Sequence, residues 1–377
     1  MGIEIIFWLS CGLVGYAYFG YPLLLGIMSL FRAREVMKGE ITPSVTFVIT
    51  AYNEENRIAE KLENTLMLSY PDALLEIVVA SDCSSDKTDD IAQSYATRGV
   101  RLIRASSRKG KEGTQQLAVR AARGDILVFS DAATILPENA IRNIVSNFHD
   151  STVGCVSSQD RFLDKEGRIS GEGAYVRYEM FLRVLETRVN SLVGLSGSFF
   201  AARRTVCEPW ADDLQSDFNT LLNSVSSGMR GVLDQSSIGY YRNLANENQE
   251  YQRKVRTVLR GLSVMARRRK MLNPFRHGLF SWQLFSHKIC RWLVPFGLIA
   301  ALLSNLVLAL DASFYAGTLV VQLCFYSIAA VGNISSIACR SIVKLAAFFV
   351  LANVSILDAW VHFFKGHRVV AWESSRR

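Results

Sequence analysis

Three carboxylates and one basic loop are the residues in this chain whose types and placing suit chemistry. Asp82 and Asp131 each follow a short apolar, β-branched run, and Asp217 stands at the head of a helix-forming stretch. Arg108-Lys109-Gly110-Lys111-Glu112-Gly113 is a glycine-interrupted basic segment lying between those two runs. Carboxylates supply acceptors and hold cations, whereas ammonium and guanidinium groups supply only donors and hold anions. Each group also has a plainer reading. Lys111 would be a solvated loop lysine, and Asp217 a helix N-terminal cap.

The elements that must position them follow from the pattern. Val45 to Thr50 is a strand broken by Ala51-Tyr52-Asn53, with Asn53 as N-cap of a helix over Glu54 to Leu68 that buries Ile58, Leu62 and Leu66. Leu75 to Ala80 is the next strand, ending in Ser81-Asp82-Cys83-Ser84-Ser85-Asp86. A helix marked by Ile91 and Tyr95 follows and is closed by Gly99. Val100 to Ala105 is a third strand, the basic loop leads into a helix through Ala122, and Ile126 to Ser130 is a fourth strand ending at Asp131. Strands alternating with helices predict an α/β domain on a largely parallel sheet, whose ligands sit beyond the carboxyl ends of the strands. Asp82 and Asp131 would both lie there.

Composition bounds the rest. Of 377 residues, 50% are hydrophobic, too many for a wholly soluble chain, so part of it belongs in lipid. Ile3 to Phe31 is long enough to span a bilayer and is followed by Arg32, Arg34 and Lys38, which predicts that residue 32 onward is cytoplasmic. Ile289 to Leu310, Phe314 to Ile334 and Ile342 to Phe364 are three more spanning candidates, the last carrying Lys344, Asn353, Asp358 and His362. The net charge of +8 clusters beside these apolar segments, which favours anionic lipid over nucleic acid as the partner. Seven cysteines without a CxxC pair or metal spacing read as reduced thiols.

Between Asp131 and the last spans, Pro137 to Phe148 reads as a surface helix and Gly154 to Gln159 as a strand. Gly173 to Leu192 reads as an amphipathic helix, and Gly194 to Arg203 as a loop running into a strand. An acidic turn, Asp212 to Phe218, heads a helix over Asn219 to Ser227. Tyr251 to Lys270 carries Val255, Val258, Leu259, Leu262 and Met265 on one side and basic residues around the rest, a pattern suited to a helix at a membrane surface.

In order and spacing these segments resemble the membrane-integrated, inverting family 2 glycosyltransferases, a group that includes bacterial cellulose, hyaluronan and poly-N-acetylglucosamine synthases. The likeness runs from PSVTFVITAYNEE through SDCSSD, RKGKEG, FSDAAT and QSDF to YQRKVRT and QLFSHKICRWLVP. It implies a GT-A-type (Rossmann-like) domain at residues 43–242 behind a transmembrane helix at 1–35, interface helices at 243–285, and a C-terminal transmembrane region with a basic tail at 286–377. By the same resemblance Ala51 and Glu54 line the nucleoside pocket, Asp82 contacts the base and Lys111 lies near base or phosphates. Asp131 holds Mg²⁺ or Mn²⁺ against the diphosphate, Asp217 is the general base, and Arg253 and Arg256 bind the diphosphate.

The chain departs from the pattern at several places. Ala133 replaces the second DxD carboxylate, Cys83 replaces a glycine, and Gln215-Ser216 stands where further acidic residues are usual. Arg253 and Thr257 replace the glutamine and tryptophan of QxxRW. The resulting expectation is a multi-pass enzyme of a bacterial inner membrane with its catalytic domain in the cytoplasm. It would pass a sugar from a nucleotide-sugar, UDP-linked by expectation, to a growing polysaccharide, working with export or assembly proteins. A single-sugar transferase acting on a lipid-linked acceptor and a non-catalytic membrane subunit are the rival readings; a transporter fits poorly with so large a soluble portion.

Overall fold

The computed structural model describes residues 1–163, 174–242, 247–334 and 341–367. It divides into two compact units. One comprises Met1–Met28, Asn246–Leu262 and Trp282–Arg368, and the other Ser29–Ala245, Ser263–Ser281 and Val369–Arg377.

The second unit is built on a seven-stranded sheet: β1 Val45–Ala51, β2 Leu75–Ser81, β3 Val100–Arg104, β4 Ile126–Asp131, β5 Val153–Leu163, β6 Phe199–Arg203 and β7 Arg230–Arg242, in the order β3-β2-β1-β4-β6-β5-β7. The first four strands are parallel, as their alternation with helices requires. β6 then enters antiparallel to both β4 and β5, and β5 pairs parallel with β7, so the sheet is mixed. β7 went unread in the sequence because Asp234-Gln235-Ser236-Ser237 interrupts its apolar pattern. The register shift between Ser158 and Gln159 shows that β7 accommodates this segment as a bulge.

Both faces of β1 are covered, which is why its seven residues are all buried and its sequence is nearly continuous in apolar residues. One face packs Phe47, Ile49, Val79 and Val128 against Ile58, Leu62, Ile141 and Ile144. The other packs Val48, Val78 and Phe129 against Ala118, Leu192 and Leu221.

Local starts and stops refine the sequence reading. The helix expected from Glu54 begins at Ile58, because Asn53 adopts a left-handed φ of 51° and its side chain binds Ser85 instead of capping. The helix after β3 begins at Gly110, so Lys111, Glu112 and Gly113 lie in its first turn and not in a loop. Ser216–Ser226 begins three residues before the expected Asn219, which places Asp217 inside the first turn.

Among the described residues of the chain, four helices are long and apolar enough to cross a membrane: Gly2–Phe31, Leu279–Leu308, Ser313–Gly332 and Val343–Phe364. The first unit contains most of their length. There Phe7 meets Tyr315 edge to face, and Trp282 Nε1 donates to the Tyr16 hydroxyl at 3.0 Å. Trp360 Nε1 donates to the Trp292 carbonyl at 2.9 Å. Asn305 is hydrogen-bonded to Thr318 Oγ1, Asn353 donates to the Phe349 carbonyl, and Asp358 accepts from the Tyr251 hydroxyl, so these three intramembrane polar groups are used in joining or bracing helices.

Candidate active site

The site grows from the carboxyl ends of β1, β2 and β4. Parallel strands deliver their last residues to one edge, so Ala51, Asp82 and Asp131 reach it from three neighbouring strands. Ala51 is fully buried, and its carbonyl accepts from the Asp82 amide at 2.9 Å, joining the first two turns.

Asp82 is completely buried. Its carboxylate accepts from the Lys109 amide at 2.7 Å, from the Gly110 amide at 3.1 Å and from the Thr114 hydroxyl at 3.0 Å. These are free donors at the start of the Gly110–Ala121 helix, so Asp82 caps that helix from another strand. Gly110 permits the arrangement with a φ of 75°, which a side chain would strain. Beside it the Arg108 guanidinium lies 3.8 Å from Asp82 Oδ2 and stacks 3.7 Å over the Tyr52 ring. Cys83, in place of the usual glycine, takes a φ of 59°, so the turn keeps a left-handed residue without the glycine.

Glu54 is buried in the turn after β1, where its amide donates to Thr88 Oγ1 and its carboxylate accepts from Arg57 at 3.1 Å. Burial raises the pKa of this carboxyl above the ordinary value, and the Arg57 guanidinium only partly offsets that.

Lys111, carried one residue past the helix start, extends its ammonium to Asp131 Oδ1 at 2.6 Å and to the Gly197 carbonyl at 2.9 Å. It is a largely buried side chain held by an ion pair, and so differs from a solvated loop lysine. Asp131 keeps 29% of its side chain exposed and remains open to a ligand. Its amide is tied to the Ser198 carbonyl at 3.0 Å.

Gly197 also meets Asp217. A Cβ added at Gly197 would come 3.0 Å from Asp217 Oδ2, a tight contact that would press on that carboxylate. Asp217 is 7% exposed, lies in the first turn of its helix and accepts from Gln215 Nε2 at 3.1 Å. The flanking Ser196 and Ser198 hydroxyls are both anchored on Asp160, at 2.6 and 2.9 Å, which fixes the loop carrying Gly197. Lys111 thus joins Asp131 to the Gly197 carbonyl, and Asp217 lies beside the same glycine.

Reading the sequence did not single out Lys61, Thr114, Asp160 or Gly197. Lys61 lies within an amphipathic helix and looks like a surface residue, yet it is 1% exposed. Its ammonium donates to Ser130 Oγ at 2.8 Å and to the Thr134 carbonyl at 2.6 Å. Burial pulls its pKa down to about 7, with the Asp131 charge opposing the fall. The only available signal was its place three residues after Ile58 and one before Leu62, on the inward side of the helix.

Arg253 and Arg256 lie on the Glu247–Arg267 helix, in the part assigned to the other unit, and both are partly exposed. In that unit Val255 and Leu259 pack with Ala359, and Lys254 Nζ sits 3.8 Å over the Phe348 ring, so protein covers part of the predicted apolar stripe. Thr257 is exposed and its hydroxyl donates back to the Arg253 carbonyl at 2.8 Å.

Part of the chain matches a known family. Residues 46–209 match the family described as Glycosyl transferase family 2. The chain carries a family 2 glycosyltransferase domain. The stretch matched by that family runs from β1 to Pro209 and includes Asp82, Lys111, Asp131 and Gly197; Asp217 lies just beyond it. The poly-beta-1,6-N-acetyl-D-glucosamine synthase of Staphylococcus aureus is 27% identical over 161 residues, 41% of this chain and 38% of that protein. The beta-monoglucosyldiacylglycerol synthase of Trichormus variabilis is 25% identical over 190 residues, 48% of this chain and 40% of that protein. The aligned region therefore spans about two fifths of these relatives' length. The mannosyltransferase PcManGT from Pyrobaculum calidifontis, solved in complex with GDP-Man and Mn²⁺, superposes with a TM-score of 0.74 at 21% identity, covering 97% of this chain and 100% of that one. The family 2 domain thus has the GT-A fold that the resemblance implies.

Proposed function

We propose that this protein transfers a sugar with inversion from a nucleotide diphospho-sugar to a saccharide or lipid-linked acceptor at a bacterial inner membrane. The observation that carries the reading is the set of contacts at the carboxyl edge of the sheet by which Lys111 joins Asp131 to the Gly197 carbonyl, with Asp217 beside that glycine. A carboxylate open to ligand, a cation for phosphate and a second carboxylate set apart as a base are the three parts such a transfer needs.

The acceptor hydroxyl gives its proton to Asp217 as its oxygen attacks the anomeric carbon in line. The bond from that carbon to the diphosphate breaks, and the electron pair leaves with the nucleoside diphosphate. Attack opposite the leaving group turns an α-linked donor into a β-linked product. Lys111 meets the charge that develops on the diphosphate. Glu54, Ala51 and Asp82 shape the turns that would hold the nucleoside.

A divalent metal fits with Asp131 as its one protein carboxylate. Among the described residues no three His, Cys, Asp or Glu side chains are grouped to cage an ion, and Ala133 leaves the DxD with one acid. Mg²⁺ and Mn²⁺ are commonly held by one or two carboxylates with the rest of the shell from substrate phosphates and water. When bound, the ion would neutralise the diphosphate. The Mn²⁺ complex of the similar mannosyltransferase supports the choice of metal.

The positive residues Arg32, Arg34 and Lys38 after the first apolar helix support a cytoplasmic catalytic domain. The poly-N-acetylglucosamine synthase relative supports a polymer as product, with export or assembly proteins as partners. One observation favours single addition to a lipid-linked acceptor: an exposed Thr257 replaces the tryptophan on which a growing chain would stack. Release of nucleoside diphosphate across a panel of UDP- and GDP-sugars with Mn²⁺ or Mg²⁺, followed by sizing of the product, tests both. A ladder of lengths supports the polymer and a discrete product the single addition. No turnover with any donor, with acceptors supplied, overturns the proposal in favour of a non-catalytic subunit.

A further inference from the structure

The inference concerns Lys61 and rests on the donor-site reading given above. Its ammonium is enclosed between the strand carrying Phe47 and the Ser130–Thr134 turn, 5.4 Å from the Phe47 ring centroid. It bonds to the last residue before Asp131 and to the third residue after it, so it brackets the turn that presents that carboxylate. Among the described ion pairs Lys61 has none. A lysine is rarely taken wholly out of water without a carboxylate partner, because desolvating the charge is costly. The turn could be braced as well by a neutral side chain, so bracing alone does not account for a cation here.

We propose that Lys61 is a positioning residue that places a positive charge beneath the donor site and so favours the anionic diphosphate. The charge balance of the site points the same way. The DxD has lost one acid at Ala133, and two lysines, Lys61 and Lys111, surround the acid that remains. Both changes move the floor of the site toward positive. A charge beneath protein acts through a poorly polarisable medium and is little screened by salt, so it reaches a ligand it does not touch. With its folded pKa at about 7 the lysine carries its full charge below neutrality, and the arriving diphosphate favours that protonated form.

A charge of this kind has opposite effects on the two ligands of the site. It strengthens binding of the nucleoside diphosphate and weakens binding of a free metal cation. A side chain that only holds the turn in place would affect both in the same direction. The test uses the purified full chain in detergent, with Lys61→Gln, which keeps a hydrogen-bond donor and removes the charge, and Ser130→Ala, which keeps the charge and removes one hydrogen bond. UDP and GDP affinity is measured by calorimetry in EDTA, and Mn²⁺ affinity without nucleotide by the resonance signal of the free ion.

For Lys61→Gln the expected result is a loss of about tenfold in nucleoside diphosphate affinity, with Mn²⁺ bound as tightly as by the parent or more tightly. Ser130→Ala should keep nucleoside diphosphate affinity within about threefold. Unchanged nucleotide affinity in Lys61→Gln, or a parallel loss of nucleotide and Mn²⁺, overturns the role of the charge. An equal nucleotide loss in Ser130→Ala assigns the effect to the hydrogen bond and overturns it too; that arm stands even if Lys61→Gln shows no cooperative thermal transition. Failure of the parent protein to bind UDP or GDP with or without metal overturns the donor-site reading itself, and the Lys61 role with it.

Discussion

Lys111 Nζ lies 2.6 Å from Asp131 Oδ1, and its other acceptor is the carbonyl of Gly197, the residue against which Asp217 is placed. Asp131 and Asp217, the proposed donor-side acid and base, are therefore linked through one lysine and one glycine. Changes at either residue should be felt in turnover.

Lys111→Ala removes a partly buried cation and leaves Asp131 without its partner. Donor KM is expected to rise by about tenfold, in line with the usual worth of a charged hydrogen bond. Initial rates of nucleoside diphosphate release against donor concentration check this, and an unchanged KM would show that Lys111 does not meet the donor.

Asp217→Asn keeps the shape of the helix start and removes the base. Turnover should fall about a thousandfold while nucleoside diphosphate affinity stays near that of the parent. Equilibrium binding and single-turnover rates together separate the two. Equal loss of binding would count against a base role.

Gly197→Ala adds a methyl where 3.0 Å separates the new carbon from Asp217 Oδ2. Displacing that carboxylate by a few tenths of an ångström is expected to lower kcat by up to about tenfold, with a much smaller change in donor KM. Wild-type kcat in this variant would mean that the base lies elsewhere.

Asp82→Ala strips the acceptor from the Lys109 and Gly110 amides and from the Thr114 hydroxyl at once. The unit built on the sheet should lose about 3 kcal/mol of stability, read as a lower midpoint in denaturant. The same variant should fail to order the start of the Gly110–Ala121 helix, seen as faster amide exchange at residues 109–114.

Stability should also depend on pH through Lys61. Its folded pKa of about 7 lies below the unfolded value of 10.5, so between those values the unfolded chain binds the additional proton. This group therefore makes the protein more stable as pH rises from about 7 to 10.5, with the penalty fully present below the folded value. Lys61→Met should flatten that part of the profile, measured as the thermal midpoint in detergent. An identical slope in both proteins would show that Lys61 titrates as an ordinary lysine.

The sequence by itself determined the parallel half of the sheet, the four apolar spans and the placing of Asp82 and Asp131 at strand ends. These follow from local rules: apolar runs of strand length, helical spacing between them, and the short reach of a strand-end turn. It also placed Asp217 near a helix start, though three residues too far outside it. What only the tertiary structure decided is how those residues are used. That Asp82 caps a helix following another strand, that Lys111 reaches both Asp131 and Gly197, and that Lys61 is buried beneath the turn are relations between residues 20 to 86 positions apart. No local period encodes such distances. β7 and the antiparallel direction of β6 were hidden for the same reason, since pairing direction and bulges are set by the neighbouring strands and not by the strand's own residues.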